Sequence, residues 1–204
     1  MVNAVIMASG YSTRMGKNKL MLPFKGKPII EHVIDAIKEC NFDEIILVGQ
    51  EKEVLDIAKK KNILTILNTK AYKGQSQSIE LGILNTSSSK GYMFFTGDQP
   101  LLDSYTINLL LNTFTRNNDY IIIPKYKNKV GSPTIFPEKF KNELLDLQGD
   151  VGGKIVINNH INEIIFVNLR NGCSLFDIDT PKDYEYILSK NLYQGCDNYD
   201  RQHI

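Results

Sequence analysis

The sequence predicts an α/β protein of three layers, α/β/α, built around a mostly parallel central sheet. Three observations lead there. Apolar, β-prone runs alternate with amphipathic segments from the first residues onward. The early order is βαβαβ, which calls for a parallel sheet covered by helices on both faces. Two of the apolar runs end in small or acidic turns, Ala8-Ser9-Gly10 and Thr96-Gly97-Asp98. Right-handed crossovers would bring such turns to one sheet edge, where open α/β sheets bind ligands.

The first strand is Val2 to Met7. Leu20 to Phe24 is a short apolar piece ending in a turn at Lys25-Gly26. Pro28 then suits the first turn of a helix reaching about Cys40, with Ile29, Ile30, Val33, Ile34 and Ile37 on one face. Glu44 to Val48 is the second strand. A helix from about Lys52 to Lys60 turns Val54, Leu55 and Ala58 inward, and Ile63 to Leu67 is the third strand. A polar loop, Asn68 to Ser78, leads into a helix from near Ser76 to about Asn85. Gly82 lies inside that helix and disfavours it intrinsically.

Gly91 to Phe95 is a strongly apolar strand, followed by Gly97-Asp98-Gln99-Pro100. Asp103 or Ser104 caps the next helix, to about Phe114. Tyr120 to Ile123 is a strand, Lys125 to Val130 a basic hairpin, and Pro133 to Phe136 a short strand. Pro137 opens a helix with Phe140, Leu144 and Leu145 inward. The glycine-rich run Gln148 to Lys154 turns helical through about Asn159. Glu163 to Val167 and Leu175 to Ile178 are late strands. Thr180-Pro181-Lys182-Asp183 carries a threonine cap, a proline and an acid, the signature of a helix start. Residues 1–190 are expected to form one domain, and 191–204 a polar tail.

The totals exclude several classes. The chain has 204 residues, 42% hydrophobic and 23% charged, with a formal net charge of +1. A balance so near zero implies no general affinity for nucleic acid. No uncharged apolar run is long enough for a bilayer, and no basic leader precedes the first strand, so neither membrane nor secretion is expected. Cys40, Cys173 and Cys196 lack metal-ligand spacing, and a reducing cytoplasm is the simplest setting. His32, His160 and His203 match no ligand pattern. No serine elbow or Cys-His arrangement supports hydrolysis.

The chemistry concentrates in the first nineteen residues. A buried strand runs into a small-residue turn and then a loop bearing Arg14, Gly16, Lys17 and Lys19. Exposed backbone N–H groups and long cationic side chains of this kind hold phosphate. A Walker A loop is excluded, because five residues separate Gly10 from Gly16 and Asn18 follows Lys17. A surface loop with no ligand has the same composition. Asp98 sits where a strand ends, so its carboxylate either holds Mg²⁺ or shapes a turn. Asp177 and Asp179 would share one face of an extended segment, as half of a metal site or as turn residues. Asn68, Gln75 and Ser76 either read base and ribose edges or are ordinary loop polars. Ser78 is a lesser candidate because it falls inside a helix. Asp150 either caps a helix, shapes its loop or meets a ligand.

The ordered motifs resemble those of the nucleotidyltransferases that attach a nucleotide to the molybdopterin cofactor, within the nucleotide-diphospho-sugar transferase superfamily. The family opening appears as Met7-Ala8-Ser9-Gly10-Tyr11-Ser12-Thr13-Arg14-Met15-Gly16 with Lys19, followed by Leu22-Pro23. Gly97-Asp98-Gln99-Pro100 resembles the metal-bearing turn. Gly131-Ser132-Pro133 resembles a Gly-His-Pro motif with serine for histidine. Gly149 to Lys154 resembles the Gly-Asp-x-Gly-Ala-Arg loop, and Asp177-Ile178-Asp179-Thr180-Pro181 the late acidic motif. The likeness is greatest to the cytidylyl-transferring branch. Ser9 departs from its alanine, and also from the glycine of guanylyl-transferring relatives.

That resemblance implies a Rossmann-like nucleotidyltransferase fold and transfer of CMP from CTP to the terminal phosphate of Mo-molybdopterin, with Mg²⁺ and release of pyrophosphate. Arg14, Lys19 and Asp98 would be catalytic. Ala8, Ser9, Gly10, Ser12, Arg14, Lys19, Asn68, Gln75, Ser76 and Asp98 would bind the nucleotide. Gln99, Ser132, Asp150 and Gly152 would meet the acceptor, and Asp98, Asp177 and Asp179 the metal. Lys125, Lys127 and Lys129 would attract an anionic acceptor or form a charged solvent face. A cytoplasmic enzyme making transient contact with a molybdenum hydroxylase or its accessory chaperone is implied. The alternatives are GTP as donor, a sugar phosphate as acceptor, or a non-catalytic carrier of the cofactor.

Overall fold

A computed structural model describes residues 1–189 of the chain. The expected tail 191–204, with Cys196 and His203, lies outside the described residues. The first strand, β1 (Asn3–Ala8), is buried on both faces. It is followed by a small hairpin, β2 (Pro23–Phe24) and β3 (Lys27–Pro28), whose turn residues Lys25 and Gly26 both have positive φ. Such a two-residue turn matches the natural twist of the paired strands. Helix α1 (Ile29–Lys38) buries the apolar face read from its sequence: Ile29, Ile30, Val33, Ile34 and Ile37 are all 0% exposed.

β4 (Ile45–Gly49), α2 (Lys52–Lys60) and β5 (Leu64–Leu67) complete the first half. α3 (Gln75–Leu84), β6 (Gly91–Thr96), α4 (Ser104–Arg116) and β7 (Ile121–Tyr126) follow. β8 (Lys129–Val130) pairs with β7 as the predicted basic hairpin, and β9 (Thr134–Pro137) returns through the sheet. α5 (Lys141–Leu145), α6 (Lys154–Asn159), β10 (Ile164–Asn168) and α7 (Pro181–Leu188) end the described chain.

The sheet order is β10-β7-β9-β6-β1-β4-β5. β1 pairs in parallel with β4 and β6, and β4 with β5. β9 runs antiparallel to both neighbours. The sheet is therefore mostly parallel, as expected. One face packs on α1, α2 and α4 through Ile6, Leu47, Met93 and Phe95. The other packs on α3, α5 and α6 through Val5, Ile46, Tyr92 and Phe94. Strand order changes direction between β1 and β6, and a crevice opens beyond the C-terminal ends of two such strands.

Gly82 is explained by this packing. A Cβ there would lie 2.3 Å from Val5 Cγ1, so the residue that weakens α3 as a helix is what lets it approach β1.

Two expectations are corrected. Leu175 to Ile178 is not a strand: Cys173–Leu175 is a 3₁₀ turn, and the next residues are extended but unpaired in any sheet. The period-two alternation is real, since Phe176 and Ile178 are buried and Asp177 and Asp179 are not. It serves a third apolar cluster with Met15, Leu22, Phe24, Ile29 and Ile187, away from the sheet. Pro137 closes β9 instead of opening a helix; a 3₁₀ turn, Glu138–Phe140, intervenes before α5. Cys40 is half-buried, and burial, then Glu39 and Asp103, pushes its thiol up to about 11. Cys173 is disulfide-bonded.

Candidate active site

A cleft of ≈ 620 Å³ lies where β1 and β6 end. Its walls come from the turn after β1, the start of α3 and the turn after β6, with Asp150 and Asp179 reaching in from later loops. Of the residues singled out in the sequence, Ala8, Ser9, Gly10, Lys19, Gln75, Asp98, Asp150 and Asp179 line it.

Lys19 is held there by its own loop. Ser12 adopts a left-handed conformation at φ +51°, and its Oγ accepts the Lys19 backbone N–H at 3.2 Å. The Asn18 side chain accepts from Leu20 N–H at 3.0 Å, capping the turn that carries Lys19. Met15 drops into the apolar cluster shared with Phe176 and Ile178, so the N-terminal loop and the late acidic segment pack as one body. Ile178 N–H donates to the Asp98 carbonyl at 3.0 Å, which brings Asp179 beside the β6 turn.

The result is an ion cluster. Lys19 Nζ lies 2.5 Å from Asp98 Oδ2 and 3.0 Å from Asp179 Oδ1. Burial acts to lower the Lys19 pKa, but the Asp98 charge and the hydrogen bonds to Asp98 and Asp179 raise it overall. The lysine is therefore a fixed ammonium at neutral pH. The other Asp98 oxygen, Oδ1, is buried without a hydrogen-bond partner. An unsatisfied buried carboxylate oxygen is costly unless a cation or donor meets it.

A polar network lies beneath the β1 turn. Asn68, only 2% exposed, donates through Nδ2 to Ser9 Oγ at 3.2 Å and to Ser78 Oγ at 3.3 Å. Ser9 Oγ donates in turn to the Val48 carbonyl at 3.3 Å. Asn68 thus supports the cleft from behind and does not itself line it. Ser78 does line it, although its position inside a helix had made it a lesser candidate; its spacing three after Gln75, one turn along α3, was the available signal.

The loop at 149–153 is docked on the N-terminus of α3. Ser76 Oγ donates to the Gly149 carbonyl at 2.8 Å, and Gln75 N–H to Asp150 Oδ1 at 3.2 Å. Gly74, at φ +90°, permits this approach: a Cβ would fall 2.4 Å from Asp150 Cα. Ser76 is therefore engaged with the loop and does not line the cleft, and Gly152 packs on the Gln75 side chain.

The remaining expected residues lie outside the cleft lining. Arg14 is exposed. Ser12 borders a smaller adjoining hollow with Lys17 and Gly16. Asp177 is not in the lining, so of the two late acids only Asp179 reaches the cleft. Gln99 is buried and its Nε2 donates to the Ser132 carbonyl at 3.4 Å, joining the β6 turn to the loop before β9. The Lys125 and Lys127 ammonium groups lie over the Phe166 and Tyr126 rings, away from the cleft. Tyr11, Thr13, Tyr72 and Thr96 also line the cleft: Tyr11 and Thr13 lie within the opening motif, whereas Tyr72 and Thr96 arrive only because the folded turns converge.

The site is rich in acids for one that would take phosphates. Lys19 is its only cationic lining side chain among the described residues, against Asp98, Asp150 and Asp179. No group of three or more His, Cys, Asp or Glu side chains forms a closed metal cage among the described residues. Mg²⁺ is ordinarily held by one or two carboxylates together with substrate phosphates and water, so the Asp98 and Asp179 pair suits it, and Asp98 Oδ1 is the unsatisfied hard donor it requires. Among the described residues, no helix is long and apolar enough to cross a membrane.

The chain is similar to known proteins along much of its length. It is 27% identical over 199 residues to the molybdenum cofactor cytidylyltransferase of Escherichia coli, covering 94% of this chain and 97% of that protein. It is 34% identical over 126 residues to a probable molybdenum cofactor guanylyltransferase of Natranaerobius thermophilus, a match that spans 60% of each. The solved manganese complex of Rv0371c from Mycobacterium tuberculosis superposes with a TM-score of 0.75 at 21% identity, covering 93% of this chain and 98% of that one. That likeness is one of fold. The sequence profile described as the MobA-like NTP transferase domain matches residues 4–164. The chain therefore belongs to the MobA-like NTP transferase family and is a nucleotidyltransferase.

Proposed function

We propose that the protein transfers a cytidylyl group from CTP to the terminal phosphate of Mo-molybdopterin and releases pyrophosphate. The observation that carries this is the meeting of Lys19, Asp98 and Asp179 beneath the turn that follows β1. The near full-length likeness to a cytidylyltransferase supports CTP as the donor.

Asp98 and Asp179 would hold Mg²⁺, which would supply charge neutralisation and polarise the transferring phosphoryl group. The chain's own residues do the rest. Lys19 and the backbone of Ser9 and Gly10 bind the triphosphate, with Arg14 recruited from the exposed part of the same loop. Ser9, Gln75 and Ser78 form the polar wall that meets base and ribose, and Asn68 braces it from behind. Gln99, Ser132, Asp150 and Gly152 border the acceptor. An oxygen of the acceptor phosphate bonds to the α-phosphorus as the bond from α-phosphorus to the bridging oxygen breaks, and the electron pair leaves with pyrophosphate. The acceptor phosphate is already ionised near pH 7, so no strong side-chain base is needed. Alignment and electrostatic stabilisation supply the rate.

On the family resemblance we assign the reaction to the cytoplasm, with the product passed to a molybdenum hydroxylase or its accessory chaperone. A second donor, GTP, is favoured by the 34% identity to a guanylyltransferase. Incubation with Mo-molybdopterin, Mg²⁺ and each nucleoside triphosphate, followed by mass analysis, separates the two. A cytidylylated product from CTP is expected. A product from GTP alone overturns the donor, and no product from any triphosphate overturns the reaction.

A further inference from the structure

We propose that Lys19 is a placeholder: in the nucleotide-free protein its ammonium occupies the position that a divalent cation takes in the loaded site, so that cation and triphosphate enter together. This rests on the proposed metal role of Asp98 and Asp179.

The geometry leaves little room for both charges. The Nζ atom sits within hydrogen-bond distance of the two carboxylates at once, at 2.5 and 3.0 Å. A second cation held by the same two carboxylates, Asp98 Oδ1 included, would lie close to the ammonium, and like charges so close repel strongly. Lys19 is also not a loosely attached competitor. Its side chain is 14% exposed, and its backbone N–H is tied to Ser12 Oγ. A bare cation must therefore evict a buried, ion-paired ammonium and leave it without partners, an expensive state.

A bare triphosphate fares no better. The cleft would offer it one cation, already spent on two carboxylates, and three aspartates. When both ligands arrive together the contacts are exchanged instead of lost. Phosphate oxygens would receive the ammonium, and Asp98 and Asp179 would hold the divalent cation. Lysine suits this exchange because its charge rides on a flexible four-carbon stem, so the tip can move while the turn stays fixed. Each ligand then raises the affinity for the other by the same factor, as linkage requires.

Nucleotide-free Mn²⁺ binding, read by electron paramagnetic resonance, tests this independently of base, acceptor or turnover. Lys19→Met and Lys19→Gln both remove the charge, and agreement between them guards against a folding defect in either. The expected result is Mn²⁺ affinity at least roughly tenfold above the unsubstituted protein in both variants. A non-hydrolysable CTP or GTP analogue should strengthen Mn²⁺ binding by roughly tenfold or more in the unsubstituted protein and far less in the variants. Equal nucleotide-free affinity in protein and variants, or undetectable binding in all of them, overturns the placeholder. Failure of the donor or acceptor assignment would appear separately, as absence of product with Mn²⁺ binding unaltered.

Discussion

Asn68 Nδ2 donates to Ser9 Oγ at 3.2 Å, so a residue that ends one strand's loop braces the turn at the end of another. The same amide reaches Ser78, and Asn68 Oδ1 accepts from the Lys70 N–H at 3.0 Å. Asn68→Ala removes all three bonds: buried Ser78 Oγ loses this partner, and Ser9 Oγ keeps the Val48 carbonyl. We expect a stability loss of about 1–3 kcal/mol in urea unfolding. We also expect a higher KM for the nucleoside triphosphate, and an unchanged KM would remove Asn68 from the nucleotide side.

Asp98→Asn keeps the shape of the side chain and removes its charge. The fold should persist, because the backbone bond from Ile178 N–H to the Asp98 carbonyl is untouched. Turnover measured by pyrophosphate release should fall by about 10²-fold or more, the scale of losing one preorganised electrostatic group. Full activity with Mg²⁺ would show that this carboxylate is not a ligand.

Gly82→Ala sets two effects against each other. Alanine favours a helix over glycine by about 1 kcal/mol. The added methyl, however, would stand 2.3 Å from Val5 Cγ1 in the close-packed layer between α3 and β1. Overpacking typically costs about 1–3 kcal/mol, so net destabilisation is expected. A raised urea midpoint would mean that α3 can shift freely off the sheet.

Thr180 and Asp183 form a reciprocal cap at the start of α7. Asp183 Oδ2 also accepts from the Asp179 N–H at 3.0 Å, so the cap fixes the backbone of a cleft residue. Thr180→Ala should cost about 1 kcal/mol of stability. It should also lower kcat while leaving nucleotide affinity nearly constant. A purely structural cap would change the unfolding midpoint alone.

His160 lies between Glu143 and Glu163, with Nε2 2.9 Å and Nδ1 3.0 Å from their carboxylates, and its ring packs on Phe140. Hydrogen bonding to Glu143, opposed by burial and aided by Glu163, raises its pKa above the usual 6.5. A raised folded pKa contributes stability that is whole below the unfolded value and lost as pH rises through the folded one. Lys139, then His160, holds Glu163 below its usual 4.5, so that contribution is lost instead as pH falls through its folded value. His160→Gln should flatten the decline of stability on the alkaline side of 6.5 and leave the nucleotide KM alone. An unaltered pH profile of the unfolding free energy would count against the pairing.

The strands and helices were legible because burial imposes a period on the sequence. The expected helix over Lys52 to Lys60 appears with those ends, and its buried residues are Val54, Leu55 and Ala58. The same rule misled at Leu175 to Ile178, where a period of two reports one buried face but not which surface buries it. Lys19, Asp98 and Asp179 were legible as charged residues near element ends. Their pairing was not, since it depends on Met15 and Ile178 packing together across the chain. Arg14 matched its motif and yet stands in solvent, because a motif fixes a loop's sequence and not the position of an exposed tip. Ser78 lies inside a helix and still reaches the ligand side, because the first turn of α3 faces the opening.

Lys19 and Asp179 stand 160 residues apart in sequence, and the family profile stops at residue 164, before the aspartate is reached. Proteins are made from the N-terminus at a finite pace and can begin to fold while still on the ribosome. The loop bearing Lys19 thus emerges well before the carboxylate that completes its pairing. A growing chain cannot assemble this grip early, whatever its strands have begun to do. The Lys19–Asp179 pair can thus close only after the 160 positions that separate its two members have been made, so it joins the oldest and the newer parts of a growing chain.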